Sequence, residues 1–119
     1  MKKTDKKIEN AIRLALTDVC DVALNEVGGF KWITHFVNYN AFPASLLVVC
    51  VFTTNSDLSH ALSTHQDDFL RTLISNKLRA ANIQLKDIHP HVKFDSEEAC
   101  ESAHAGNWQQ RFASSCKSD

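Results

Sequence analysis

Leu46-Leu47-Val48-Val49-Cys50-Val51-Phe52 is an unbroken apolar run near the middle of the chain. It is far too short to span a bilayer, which takes about 20 apolar residues. It is rich in valine, and a β-strand accommodates β-branched side chains well. Successive strand residues point to opposite faces, so a strand that is apolar throughout must be covered on both. The run therefore predicts an interior strand over Ser45 to Thr54.

Upstream, Lys31 to Tyr39 alternates in the manner of a strand. Trp32, Thr34, Phe36 and Asn38 share one face, and Ile33, His35, Val37 and Tyr39 share the other. Asn40 to Ala44 links the two strands, with Pro43 stopping further pairing. A connection this short favours an antiparallel hairpin. Before it, Ile8, Ile12, Ala15 or Leu16, Val19, Ala23 and Val27 recur at about 3.6 residues, which predicts a helix over residues 5 to 26. Thr4 or Asp5 can cap its start, and Gly28-Gly29 ends it.

Downstream, Asn55 or Ser56 is a suitable cap. Leu58, Ala61, Leu62, Phe69, Leu70, Leu73, Ile74 and Leu78 then form an apolar face, interrupted only at Ser63 to Asp68. One helix from Ser56 to Ala81 is expected. His91 to Phe94 reads as a short third strand. Asp95 with Glu98 three positions on has capping-box spacing for a last helix, Ser96 to Ala105. Trp108 and Phe112 follow, and residues 113–119 read as a frayed polar tail.

The expected fold class is α+β, in the order α-β-β-α-β-α. Its three-stranded sheet should be mainly antiparallel, with two long helices on one face, as a single domain over residues 1–112. That layout leaves the second sheet face to be covered either by Trp108 and Phe112 or by a second copy of the protein, since a large bare apolar patch usually marks an interface. Trp32, Phe36, Trp108 and Phe112 are the candidate interface residues.

With 119 residues, 44% of them hydrophobic and 23% charged, the chain has the composition of an ordinary globular domain. Its formal net charge of −1 argues against a surface built to neutralise many phosphates. Met1-Lys2-Lys3-Thr4-Asp5 leads directly into an amphipathic helix, so no secretory signal, no membrane partner and a cytoplasmic location are expected. Cys20, Cys50, Cys100 and Cys116 contain no C-x-x-C pair and read as reduced thiols.

Few residues suggest chemistry. His89 and His91 flank Pro90, while Cys100 and His104 lie four apart on a predicted helix face; together they are a candidate zinc site without zinc-finger spacing. His60 and His65 diverge by about 140° on one helix and cannot share a metal. The carboxylates Asp95, Glu97, Glu98 and Glu101 surround a helix start, where negative charge opposes the helix dipole favourably. Three glycines make neither a G-x-G-x-x-G nor a phosphate-binding loop, and no G-x-S-x-G elbow occurs. No cofactor is expected. Lys2, Lys3, Lys6 and Lys7 cluster at the first helix start, and Arg71, Lys77 and Arg79 line the second helix; a solvated face is their ordinary meaning, and a nucleic-acid contact the alternative.

The segments DKKIENAIRLALTDVCDVAL (residues 5–24) and GFKWITHFVNYNAFPASLLVVCVF (residues 29–52) resemble a family of small uncharacterised bacterial proteins, sometimes labelled Fis-family transcriptional regulators. That label implies a helix-turn-helix with a basic recognition helix. This chain instead places strands in its middle and the acidic Glu97, Glu98 and Glu101 near its end. The element order is also similar to a type II KH domain, an RNA-binding fold running α-β-β-α-α-β, with Ser63 to Asp68 as the loop between its two helices. The KH loop carries GXXG to let the nucleic-acid backbone approach. Here the corresponding stretch has no glycine and ends in two aspartates.

The sequence favours a small non-enzymatic protein acting by protein–protein contact, as a homodimer. A nucleic-acid-binding regulator and a zinc-binding protein are the alternatives.

Overall fold

The apolar run is the middle strand of a three-stranded sheet in the computed structural model, which describes residues 3–117. The elements are helix α1 (Lys3–Glu26), strand β1 (Phe30–Phe36), strand β2 (Leu47–Phe52), helices α2 (Asn55–Ser63) and α3 (Gln66–Ala80), strand β3 (Val92–Ser96), and helices α4 (Glu97–His104) and α5 (Trp108–Lys117). Short 3-10 turns stand at Tyr39–Ala41 and His89–His91. The fold is α+β in the order α-β-β-α-β-α, with the middle helical segment divided in two.

The division corrects the expectation of one helix. Thr64 ends α2 with its own side chain, whose Oγ1 donates to the His60 carbonyl at 2.8 Å, a bond that competes with continued helix. His65 then takes a left-handed conformation, φ 63°, which turns the chain into α3. The sheet order is β1-β2-β3. β1 runs antiparallel to β2, with Thr34 opposite Val49, but β2 runs parallel to β3, with Cys50 opposite Phe94. The sheet is thus mixed rather than mainly antiparallel. A parallel pair needs a long crossover, and α2 with α3 supplies it.

α1 and α3 pack on one face. Ile12, Leu16 and Val19 of α1 meet Leu70, Ile74 and Leu78 of α3 and Val48, Cys50 and Phe52 of β2 in one buried cluster. Val49 and Val51 alternate to the other face, yet they are only 5% and 0% exposed. Helix α5 lies on that face, and Glu97 of α4 reaches it as well, accepting from Trp32 Nε1 at 3.2 Å. Trp108 stands edge-on to Trp32 with ring centres 4.9 Å apart, and Phe112 does the same to Phe36 at 4.9 Å. Such pairs add about 0.5–1.5 kcal/mol beyond their buried area. The residues expected at an interface, Trp32, Phe36, Trp108 and Phe112, therefore pack on one another within the chain. The face that motivated an interface thus carries the chain's own last helices.

One further expectation changes near that helix. Ser96, not Asp95, caps α4, its Oγ accepting from the Ala99 amide at 3.0 Å. Helix α5 extends to Lys117, and residues 118 and 119 lie outside the described residues. Among the described residues no helix is long and apolar enough to cross a membrane.

Candidate interaction surface along the first strand

Because β1 is an edge strand, only one side of it is paired. Helix α1 lies over it and presents three flanks. Its apolar stripe, centred on Ile12 and Val19, faces the core. A second flank, with Ala11, Leu14 and Asp18, borders a shallow cleft against Lys77, Ala80 and Ala81 of α3 and its C-terminal turn. The third, with Glu9, Arg13, Thr17, Cys20 and Asp21, borders β1.

Two adjoining clefts follow this third flank. One, of about 330 Å³, is lined by Ile33, Thr34 and His35 together with Arg13, Thr17, Cys20 and Asp21. The other, of about 440 Å³, is lined by His35, Phe36 and Val37 together with Glu9 and Tyr39. Consecutive strand residues point to opposite faces. A cleft lined by consecutive residues therefore runs along the strand's margin, where the main chain itself is reached. From Ile33 to Phe36 the outer edge of β1 is open in this sense.

A polar cluster fixes one end of the surface. The Glu9 carboxylate accepts from His35 Nε2 at 3.0 Å and from the Tyr39 hydroxyl at 2.5 Å, on the same oxygen. Burial pushes the Glu9 carboxyl up, but the bonds from Tyr39 and His35 outweigh it and hold the group below its ordinary value. Burial and the bond to Glu9 together push the Tyr39 hydroxyl up to about 12. The cluster ties α1 to β1 and to the turn after it. His35 is thus a satisfied, partly buried histidine, as its alternation with Ile33 and Val37 predicts. No sequence signal singles out Glu9 or Tyr39. Glu9 borders the apolar stripe at Ile8 and Ile12, and Tyr39 shares the period-two face of His35, but no spacing rule joins a helix residue to a turn about 30 positions later.

The chain, compared with known proteins, matches no family model, no curated protein and no solved structure.

The candidate zinc ligands are engaged separately. His91 donates to the Leu46 carbonyl at 2.6 Å, and His89 to Asp87 at 2.8 Å. Cys100 is buried in α4, and His104 meets Arg111 Nη1 at 3.4 Å. Among the described residues no group of three or more His, Cys, Asp and Glu could hold a metal ion. The basic residues also stand apart. Lys3, Lys6 and Lys7 are exposed on the first turns of α1, while Lys2 lies outside the described residues. Arg71 is held by Asp67 at 2.7 Å and Asp68 at 3.5 Å, over the Phe94 ring. Lys77 borders the seam between α1 and α3, and Arg79 is exposed at the end of α3.

Proposed function

We propose that this chain is a cytoplasmic protein–protein contact domain without chemistry of its own, and that the β1 margin with the adjoining flank of α1 is its contact surface. One observation carries the reading: β1 is an edge strand whose residues Ile33 to Phe36 line two adjoining surface clefts beside α1. Unpaired strand amides and carbonyls are a template for another chain. Natural edges are usually blunted by lysine, proline or a bulge. Here the exposed Lys31 and the irregular register between Phe30 and Trp32 sit at the strand's start, leaving Trp32 to Phe36 regular. The free thiols Cys20, Cys50 and Cys100 suit a reducing compartment.

The nucleic-acid reading has less support. On the KH resemblance the turn between α2 and α3 would stand for the nucleic-acid-clamping loop, but Ser63-Thr64-His65-Gln66 lacks glycine, Asp67 and Asp68 follow it, and Arg71 is already paired. A zinc-binding role lacks a gathered ligand set among the described residues.

A photoreactive residue at Thr17, exposed beside the β1 margin, tests the reading in living cells. The expected result is a covalent adduct with protein. An adduct with nucleic acid alone, or none, overturns it.

A further inference from the structure

Given that reading of the β1 margin, we infer that its partner is a second copy of the chain, joined edge to edge along β1 about a two-fold axis that passes beside Thr34 and Thr17. Two three-stranded sheets would then become one sheet of six.

Self-pairing is isologous, so the same surface must complement itself. Strand β1 meets that condition. Antiparallel pairing centred on Thr34 sets Ile33 opposite the partner's His35 and Trp32 opposite the partner's Phe36. No like charges face each other, and an aromatic pair forms on each side of the axis, both favourable across strands.

Helix α1 meets it independently. Arg13 and Asp21 lie four residues before and four residues after Thr17, all on the flank that borders β1. A two-fold axis beside Thr17 therefore brings each Arg13 to the partner's Asp21, giving two ion pairs from one symmetry operation. Within the chain, and among the described residues, neither side chain takes part in a salt bridge. Leu24 lies seven residues after Thr17, about two turns on along the same flank, and it is 54% exposed. An apolar side chain there suits a covered position. The axis that pairs the strands also pairs the helices, because Thr17 and Thr34 line the same cleft.

Sedimentation of the full chain at micromolar concentration is expected to give a species of twice 13.3 kDa. Arg13→Asp should weaken the dimer at least about tenfold, since it sets like charges together across the axis. Adding Asp21→Arg to the same chain restores opposite charges and should recover most of that loss. Both positions are on the outside of a helix, so circular dichroism should show both variants folded. A dimer indifferent to Arg13→Asp, or one that the charge exchange fails to rescue, overturns the inference. So does a monomer. A monomer that still cross-links from Thr17 to a different protein would remove the second copy as partner while leaving the contact surface standing; a monomer with no protein adduct would remove both.

Discussion

Arg111 grips Asp95 with two parallel bonds, Nε to Oδ2 at 2.6 Å and Nη2 to Oδ1 at 2.8 Å. Asp95 belongs to β3, opposite Val51, and Arg111 belongs to the last helix. Arg111 Nη1 also donates to the Ala99 carbonyl of α4 at 3.2 Å. One guanidinium thus joins three elements and seats α5 on the sheet. Two-pronged pairing is the strong form of the ion pair, and both side chains are about four-fifths buried. Replacing Arg111 with Met leaves the Asp95 carboxylate without its partner and should cost about 1–3 kcal/mol, residual solvent screening holding it to that range. Asp95→Asn with Arg111→Met should cost less than the two single changes added together, as urea denaturation of all four proteins would register. Strict additivity would mean the pair is not coupled.

The aromatic contacts beside it make a separate prediction. Trp108 touches both Trp32 and Phe112. Trp108→Ala should remove about 2–4 kcal/mol, below the range for a fully buried tryptophan because Trp108 is half-buried. It should also bare Val49 and Val51. Near-ultraviolet circular dichroism is expected to flatten, and an apolar dye to bind, while far-ultraviolet helix content stays nearly unchanged. An unaltered near-ultraviolet spectrum would contradict this packing.

The Glu9–His35–Tyr39 cluster sets a pH dependence at both ends of the scale. Glu9 is held below its ordinary value of 4.5 in the folded chain. The folded state therefore favours the carboxylate, and this contribution is present above the unfolded value and lost as pH falls through the folded one. Tyr39 moves oppositely, from 10.0 to about 12. Between those values the unfolded chain loses a proton that the folded chain keeps, so stability declines as pH rises through that window. Glu9→Gln should flatten the acid limb and Tyr39→Phe the alkaline limb. Tyr39 is the one tyrosine in the chain, so ultraviolet absorption of phenolate reads its titration directly. Ordinary tyrosine titration in the folded protein would count against the Glu9 bond.

The turn between α1 and β1 distinguishes two adjacent glycines. Gly29 has φ 82°, and a Cβ built there collides with the Asp57 side chain; at Gly28 a Cβ meets nothing within 4 Å. Gly29→Ala should lower stability by about 1–2 kcal/mol from the backbone conformation alone, with the collision adding to it. Gly28→Ala should change little. Thermal melts of the two variants decide it, and equal losses would contradict the turn geometry.

Much of this fold is legible in the sequence because it is written in apolar periodicity. The run Leu46 to Phe52 marks an interior strand, and the α1 stripe marks its helix. What stays illegible depends on single torsions and on distant partners. His65 breaks a helix by adopting a left-handed conformation that no glycine or proline announces. Asp95 has the spacing of a cap, yet Ser96 caps α4 and Asp95 is claimed by Arg111, 16 residues away. The direction of β3 follows from the route of α2 and α3, which their hydrophobic pattern does not encode. As for the candidate surface, the β1 alternation is readable, but the choice of β1 as an edge is a property of the assembled sheet.

The lid formed by α5 also orders events on the ribosome. Translation delivers the sheet and its first-face helices before Trp108 and Phe112 leave the exit tunnel. For that interval the nascent chain holds a valine-lined surface with no cover of its own. A truncation just upstream of Asn107 would leave that surface without its last helix, so such a fragment should be the form of this protein most prone to clump or to be captured by chaperones.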